Sequence, residues 1–223
     1  MNSEKALSEK AIAEKALSEN AIIVFAKAPT DPINVKSRLK PALSDKKRLR
    51  LYTYLLDKTL QTAKNTTVAD TFIAYTPAKE RAFLAHYSVP LFAQEGEDLG
   101  ERMANAFKHV LDLGYVKAVI IGVDIPDLSS EILTDAFVLK LKSSDLVLGP
   151  SADGGYYLIG LKKLYQCLFE DIEWSSPSVF NSTIKKALSL NLKISQTKQL
   201  YDIDRPEDLR KLNNLNAIIG NYA

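Results

Sequence analysis

The sequence predicts an α/β sandwich built on a largely parallel sheet, and three observations support this class. Short apolar segments alternate with segments of helical period, which is the pattern of strand–helix–strand crossover units. The run Val119–Val123 is nearly all apolar, as expected for a strand that helices cover on both faces. No linker rich in glycine and serine interrupts the alternation, so residues 21–223 are predicted to form a single domain.

The predicted elements follow from periodicity and from end signals. Gly114 is a stop signal for one helix, and Ser129 is a suitable N-cap for the next. Strands are predicted at residues 21–27, 71–75, 90–94, 116–123, 145–149, 156–160 and 192–199. Helices are predicted at residues 45–64, 77–86, 97–113, 129–141 and 176–188, with a closing helix from residue 205.

The first 20 residues are predicted to be a tail that does no chemistry. Residues 3–22 repeat with a period of five, which places Leu7, Ile12 and Leu17 at equivalent positions. Neither a helix nor a strand presents every fifth residue on one face, so these side chains would wind around any helix that they form. The expectation is a frayed helix or a disordered segment that merges into the first strand.

Composition excludes several classes of function. The chain has 29 basic and 27 acidic residues among 223, and this balance is unlike that of a nucleic-acid binder driven by charge. No apolar run approaches the length of a membrane span and no signal-peptide core is present, which predicts a cytoplasmic protein. The single cysteine, Cys167, lies in an apolar run and is predicted to be a buried core residue.

Motifs that are missing narrow the choice further. The first strand is followed by neither a dinucleotide-binding glycine motif nor a Walker A lysine motif. The nucleophile elbow of hydrolases is missing, as is zinc-ligand spacing, and both histidines (His86 and His109) fall in predicted helices. Dinucleotide-dependent oxidoreductases, P-loop enzymes and triad hydrolases are therefore disfavoured.

Asp124 is the strongest candidate for a functional residue. It follows the central apolar strand, and Pro126 forces the chain out of the sheet at this point. In open α/β sheets, ligands bind at the carboxyl ends of the strands. The alternative is that Asp124 only caps a turn, because aspartate is a common turn former.

A basic segment follows the first strand and would meet Asp124 at the same edge of the sheet. Lys27, Lys36 and Arg38 are suited to phosphate, since arginine offers a planar fork and lysine a compact charge. The alternative is a solvated basic loop, and that interpretation is preferred for Lys40 and for the run Lys46–Arg48.

A glycine-containing turn enters the helix predicted at residues 97–113. Gln94, Gly100 and Arg102 in this turn could contact a nucleotide at the positive end of the helix. The three acidic residues of the same turn would equally satisfy the helix end without a ligand.

A second glycine-containing turn lies between the predicted strands at residues 145–149 and 156–160. Asp153, Gly154, Gly155 and Tyr156 are predicted to form a substrate loop, since adjacent glycines allow close backbone approach. The alternative is an ordinary hairpin turn, for which Asp-Gly is a strong signal.

Asp204 is the remaining candidate, in the run Asp202–Asp208. As a helix cap before Pro206 it would be structural. As a second carboxylate it could share Mg²⁺ or Mn²⁺ with Asp124, because these ions take oxygen ligands and often only one or two carboxylates.

These motifs together resemble a bacterial family of GT-A-type glycosyltransferase-like proteins of unknown function, also labelled radical-SAM-associated transferases. The family is related to the phospholactate guanylyltransferases and the molybdenum-cofactor nucleotidyltransferases. The resemblance covers residues 21–212 and rests on the runs F-A-K-A-P, V-K-S-R-L, Q-x-G-x-D-L-G-E-R-M, I-I-G-x-D-x-P-x-L, L-G-P-x-x-D-G-G-Y-Y-L-I-G-L and D-I-D-R-P-E-D-L.

The resemblance implies the nucleotide-diphospho-sugar transferase fold, a three-layer sandwich with a mixed, mainly parallel sheet. It implies metal ligation by Asp124 and Asp204, phosphate contacts by Lys27, Lys36 and Arg38, and an acceptor-side loop at Asp153, Gly154 and Gly155. The chain departs from the family in one place: Pro29 and Val35 are separated by five residues without a glycine.

The leading functional hypothesis is a metal-dependent transferase that uses a nucleotide sugar and a small-molecule acceptor. Asp124, Lys27, Arg38 and Asp153 are its predicted catalytic residues. The first alternative is a nucleotidyltransferase that joins a nucleoside triphosphate to a phosphorylated acceptor and releases pyrophosphate. The second alternative is a nucleotide-binding protein without activity, which the retained carboxylates and cations disfavour.

Overall fold

The structure is a computed structural model that describes residues 18–30 and 35–220. The predictions made for residues 1–17 and for the centre of the glycine-free loop (residues 31–34) lie outside this part of the chain. Within the described residues, no helix is long and apolar enough to cross a membrane.

The core of the fold is a seven-stranded sheet in the order β3-β2-β1-β4-β6-β5-β7. Strands β1 to β4 are parallel, whereas β6 runs antiparallel to both of its neighbours, β4 and β5. The sheet is therefore mixed and mainly parallel, as predicted. The strands are β1 (Asn20–Lys27), β2 (Asp70–Thr76), β3 (Leu91–Ala93), β4 (Lys117–Gly122), β5 (Leu146–Pro150), β6 (Tyr156–Leu161) and β7 (Ile194–Gln196).

Helices occupy most of the predicted positions. They are α1 (Asp45–Asn65), α2 (Leu99–Asp112), α3 (Ser130–Asp135), α4 (Val179–Ser189) and α5 (Leu215–Ile219). Helix α3 continues through a π-helical segment (Ala136–Lys140) into a last turn (Leu141–Ser143), and Ser129 is its N-cap as predicted. The segments predicted as helices after Pro77 and Arg205 are 3₁₀ helices, at Ala78–Tyr87 and Pro206–Lys211.

Two hydrophobic cores lie on opposite faces of the sheet and confirm the three-layer sandwich. Successive residues of a strand point to opposite faces, and in β1 Ile22 belongs to one core while Ile23 belongs to the other. The first core contains Leu56 of α1, and the second contains Phe107 of α2. Burial of alternating apolar side chains against helices on both sides is the main stabilising contribution to such a fold.

The predicted burial of Cys167 is wrong, because this cysteine is exposed. It lies in a short 3₁₀ helix, Gln166–Leu168, in which Leu168 is the buried residue. Leu168 and Phe169 join the core, and Cys167 is turned to solvent. An apolar run of this length cannot show which of its members the local turn directs inward.

The predicted solvation of the run Lys46–Arg48 is wrong for Arg48. Its side chain is fully buried in α1, where Nη1 donates to the Val35 carbonyl at 2.7 Å and Nη2 pairs with Asp45 at 2.5 Å. Lys46 is exposed as predicted. Arg48 thus holds Val35, the residue before Lys36, in place. This contact connects α1 to the basic segment.

Asp204 does not cap the segment that follows it. The N-cap is Arg205, and the Asp208 carboxylate accepts hydrogen bonds from the N–H groups of Asp204 and Arg205 at 3.2 and 2.8 Å. The side chain of Asp204 is therefore available for other contacts.

Residues 18 and 19 belong to the folded domain, although the predicted tail extends to residue 20. The Ser18 hydroxyl donates to the Val68 carbonyl at 2.8 Å, and the Glu19 carbonyl accepts from the N–H of Val116 at 2.8 Å. These bonds attach the start of β1 to its neighbours.

Removal of residues 1–17 is expected to leave the midpoint of thermal unfolding within about one degree of the full chain, because a period of five presents no apolar stripe to bury. Removal of residues 1–20 is the matched control and should lower it by several degrees, since the bonds of Ser18 and Glu19 are then lost. A clear loss of stability in the shorter deletion, measured by circular dichroism, would show that the repeat packs on the domain.

Candidate active site

A cleft of about 490 Å³ opens at the carboxyl ends of β1 and β4. It brings together most of the residues that the sequence predicts to be functional, from segments at or after the ends of five different strands (β1, β3, β4, β5 and β7). The predicted residues that line it are Lys27, Lys36, Arg38, Gln94, Arg102, Asp124, Asp153, Gly155, Tyr156 and Asp204.

Lys36 and Asp124 form an ion pair in this cleft. The Nζ of Lys36 lies 2.6 Å from Oδ1 of Asp124, and it also donates to the Ile203 carbonyl. The lysine side chain is buried, whereas that of Asp124 is 42% exposed and accessible to a ligand. Lys36 has a left-handed backbone (φ 50°), which is costly for a residue with a Cβ and is typical of functional positions.

Arg38 and Asp204 form a second ion pair, with 2.6 Å between Nη1 and Oδ2. The hydrogen bond and the charge of Asp204 raise the pKa of the Arg38 guanidinium above its usual value. The residue before Asp204, Ile203, donates its N–H to the Asp124 carbonyl at 2.9 Å, and this bond brings Asp204 close to Asp124. Each candidate metal ligand therefore has its own cationic partner.

Tyr52 of α1 holds the backbone from which Lys27 projects. Its hydroxyl accepts a hydrogen bond from the Lys27 N–H at 2.7 Å and donates to the Lys27 carbonyl at 2.9 Å. Burial, and then the charge of Asp124, raise the pKa of the Tyr52 hydroxyl, so it stays protonated and can donate. The sequence analysis missed Tyr52, whose place on the apolar face of an amphipathic helix is typical of a core residue.

Gln94 and Arg102 line the side of the cleft next to β2 and β3. Nε2 of Gln94 donates to the Ala74 carbonyl at 2.9 Å, and Nε of Arg102 donates to the Gly96 carbonyl at 3.0 Å. The N-terminal end of α2 is capped by Asp98, whose carboxylate accepts a hydrogen bond from the Glu101 N–H at 2.8 Å. The acidic turn thus satisfies the helix end, as the structural alternative predicted, and Arg102 still lines the cleft.

Two of the predicted glycines are absent from the cleft lining. A Cβ on Gly100 would lie 2.4 Å from the Phe169 carbonyl and 2.6 Å from the Trp174 ring. A Cβ on Gly154, whose φ is +92°, would lie 2.3 Å from the Pro177 carbonyl. Both glycines therefore permit close packing of the segments that shape the cleft.

The loop between β5 and β6 contributes one carboxylate, that of Asp153, to the cleft. Oδ1 of Asp153 accepts a hydrogen bond from the Gly155 N–H at 2.9 Å, so the loop is a tight turn, as the structural alternative predicted. Asp153 also lines the cleft. Asp202 lies close by and accepts from the Ser151 hydroxyl at 3.2 Å. Burial, followed by the negative charge of Asp153, raises the pKa of Asp202.

The sequence analysis did not single out Asp202 or Trp174, and both line the cleft. Asp202 could have been found from its position two residues before Asp204 after the last strand. Trp174 carried no signal, because the run that contains it has no regular period.

The charges of the lining residues balance. Four cations (Lys27, Lys36, Arg38 and Arg102) face four carboxylates (Asp124, Asp153, Asp202 and Asp204). A diphosphate would add negative charge to this neutral set, and a divalent cation would restore the balance. No group of three or more potential metal ligands occurs among the described residues. Asp124 and Asp204 could hold Mg²⁺ or Mn²⁺ only together with phosphate oxygens and water, because two carboxylates do not complete the shell of either ion.

The fold and this cleft are those of a transferase that uses a nucleotide. The chain belongs to the family of uncharacterised proteins conserved in bacteria known as DUF2064, whose model matches residues 59–176. The matched residues include Asp124 and Asp153. The predicted membership in a bacterial family of unknown function with this fold is thereby confirmed.

Solved structures agree on the fold. A candidate nucleotide-diphospho-sugar transferase from Desulfovibrio desulfuricans G20 shares 31% identity over 91% of this chain and 94% of its own, with a TM-score of 0.81. The 4-diphosphocytidyl-2C-methyl-D-erythritol synthase from Anaerococcus prevotii shares 13% identity over 86% and 95%, with a TM-score of 0.54. The Mycobacterium tuberculosis glucosyl-3-phosphoglycerate synthase, in complex with Mn²⁺ and UDP, shares 10% over 93% and 78%, with a TM-score of 0.52.

Proposed function

We propose that this protein is a metal-dependent transferase that moves a sugar from a nucleotide sugar to a small-molecule acceptor. The observation that carries the proposal is the pairing of Lys36 with Asp124 and of Arg38 with Asp204 in one cleft. Such an arrangement offers carboxylates to a divalent cation and cations to a diphosphate. The relative from D. desulfuricans, at 31% identity, supports the choice of donor.

The ion pairs would exchange partners when substrate binds. Asp124 and Asp204 would hold Mg²⁺ or Mn²⁺, which supplies Lewis acidity toward the diphosphate. Lys36 and Arg38 would then turn from the carboxylates to the phosphate oxygens, with Lys27 beside them. The cost of separating each pair is offset because every charge gains a new partner of opposite sign.

The chemistry exchanges one bond at the anomeric carbon of the sugar for another. The bond from this carbon to the phosphate oxygen breaks, and its electron pair leaves with the nucleoside diphosphate. A new bond forms from the acceptor hydroxyl oxygen, and we assign to Asp153 the role of taking the hydroxyl proton. The cations would stabilise the charge that develops on the departing diphosphate.

A second candidate is nucleotidyl transfer, in which a nucleoside triphosphate reacts with a phosphorylated acceptor and pyrophosphate leaves. One observation favours it: Arg102 is a fourth cation in the cleft and could serve a third phosphate. Against it stands the segment after β1, which has no glycine and carries Pro29 and Pro32, neither of which has an N–H to donate.

Nucleoside diphosphates and nucleotide sugars are expected to bind about tenfold more tightly than triphosphates in the presence of Mn²⁺, a difference of about 1.4 kcal/mol. The reason is that side-chain cations must supply the phosphate contacts with little help from backbone N–H groups. Isothermal titration calorimetry with UDP, GDP, UDP-glucose, GDP-mannose, UTP and GTP would measure this preference. The same titrations in EDTA are the control.

Tightest binding of a triphosphate, together with pyrophosphate release in the presence of a sugar phosphate, would replace glycosyl transfer with nucleotidyl transfer. Equal binding of every nucleotide with and without Mn²⁺ would reject both candidates, because each needs the metal.

A further inference from the structure

Strand β1 extends beyond the end of its neighbour β4. The last pair between these two strands joins Phe25 to Gly122, whereas β1 and β2 remain paired as far as Lys27 and Thr76. After Gly122 the chain leaves the sheet, so β4 does not reach Lys27. The side of β1 that faces β4 therefore ends in a gap at the carboxyl edge, where open α/β sheets bind ligands.

The backbone of Lys27 faces this gap. In a parallel sheet, alternate residues of a strand bond to the strands on either side. The Ala28 N–H donates to the Thr76 carbonyl of β2 at 2.8 Å. The N–H and the carbonyl of Lys27, one residue earlier, consequently point toward the β4 side. Without another partner, both backbone groups would be left unpaired at the wall of the cleft, at a cost in stability.

The Tyr52 hydroxyl takes the place of the missing strand. It accepts a hydrogen bond from the Lys27 N–H at 2.7 Å and donates one to the Lys27 carbonyl at 2.9 Å. The ring of Tyr52 is buried in the core between α1 and the sheet, so it cannot move without disturbing close packing. One side chain thus satisfies both backbone groups of Lys27 and holds them against a rigid support.

Helix α1 holds the basic segment at two points. Arg48 and Tyr52 are four residues apart and therefore lie on one face of this helix. Tyr52 holds Lys27 at the start of the segment. Arg48 donates to the Val35 carbonyl at 2.7 Å, directly before Lys36. Both lysines thus leave the backbone at positions that the same helix face fixes.

We propose that Tyr52 is a positioning residue of the phosphate site and that it acts through Lys27. Its hydroxyl closes the gap beside β1 and so fixes the point and the direction in which the Lys27 side chain leaves the strand. A lysine side chain is flexible, and a fixed backbone reduces the freedom that it loses when it binds a phosphate. This inference rests on the proposed function for the contact between Lys27 and the diphosphate.

A double-mutant cycle on the full chain tests this role. Tyr52→Phe removes one oxygen atom and keeps the ring, and it should lower the affinity for UDP or GDP in Mn²⁺ about fivefold to tenfold by calorimetry. The affinity for UMP or GMP should fall less, because one phosphate is missing. Lys27→Met should lower diphosphate affinity about tenfold. Adding Tyr52→Phe to Lys27→Met should change it by less than about twofold, since both changes remove the same contact.

Tyr115→Phe is the matched control for the loss of a buried hydroxyl. Tyr115 and Tyr52 are both 4% exposed, and the Tyr115 hydroxyl donates to Asp70 at 3.0 Å, at the opposite end of the strands. Both variants should lower the midpoint of thermal unfolding by a few degrees. Only Tyr52→Phe should lower nucleotide affinity.

Amide hydrogen exchange of the unaltered chain is a second measurement, and it keeps the proposal testable if Tyr52→Phe does not fold. The Lys27 N–H should exchange as slowly as the N–H groups that are paired within the sheet, because the Tyr52 hydroxyl protects it.

Equal diphosphate affinity in Tyr52→Phe and Tyr115→Phe would overturn the proposal, as would additive losses in the double variant or fast exchange of the Lys27 amide. Unchanged affinity in Lys27→Met would also overturn it, because Tyr52 could then not act through this lysine. In each of these results the unaltered chain still binds nucleotides in a Mn²⁺-dependent manner. Absence of that dependence is a different result, which rejects the proposed function and this inference with it.

Discussion

Asp124→Asn is expected to lower Mn²⁺-dependent nucleotide affinity by roughly a hundredfold, which corresponds to about 2.8 kcal/mol. The amide keeps the shape of the side chain but removes the charge that would attract the metal ion. Asp204→Asn should act in the same direction. Isothermal titration calorimetry with UDP or GDP, with and without Mn²⁺, measures both effects.

Asp124→Asn also removes the charge that faces the buried Lys36 ammonium at 2.6 Å. We expect a loss of unfolding free energy of about 1–2 kcal/mol, less than for a fully buried pair, because the Asp124 side chain is 42% exposed. Asp127→Asn is the matched control, since Asp127 is exposed and is not among the cleft residues. Unaltered Mn²⁺-dependent binding in both Asp124→Asn and Asp204→Asn would remove the metal site.

Arg48→Met is expected to lower the free energy of unfolding by about 2–3 kcal/mol and the midpoint of thermal unfolding by roughly 5–10 °C. Methionine can fill much of the space, but it leaves the Val35 carbonyl without the donor that now lies 2.7 Å away. Lys36 follows Val35, so its left-handed backbone would lose the support of the Arg48–Val35 hydrogen bond. Mn²⁺-dependent nucleotide affinity should therefore fall about tenfold, or about 1.4 kcal/mol.

Lys46→Met is the matched control for Arg48→Met, because Lys46 lies two residues earlier in α1 and is exposed. It should change the free energy of unfolding by less than about 0.5 kcal/mol and leave nucleotide affinity unaltered. Equal stability of the two variants in urea unfolding would show that the buried guanidinium contributes nothing. A destabilised Arg48→Met variant with full nucleotide affinity would show that Lys36 does not depend on it.

The sequence by itself determined the fold class and the edge of the sheet where the site lies. Apolar runs that alternate with helical periodicity require a covered, mainly parallel sheet. In such a sheet the carboxyl ends of the parallel strands meet at one edge. Lys27, Lys36, Arg38 and Asp124 could be placed together for this reason, before any contact was known.

Only the tertiary structure decided how these groups are paired and which other residues join them. The partners of Lys36 and Arg38 are distant in sequence, so local pattern cannot show that Asp204 meets Arg38 instead of capping a helix. Buried Arg48 and exposed Cys167 contradict what their neighbours in sequence indicate. An aromatic or apolar residue gives the same periodic signal in a core and in a cleft wall, because burial depends on which segments pack against it. Tyr52 is the example: it lies on the apolar face of α1, and only the folded chain places its hydroxyl against the backbone of Lys27.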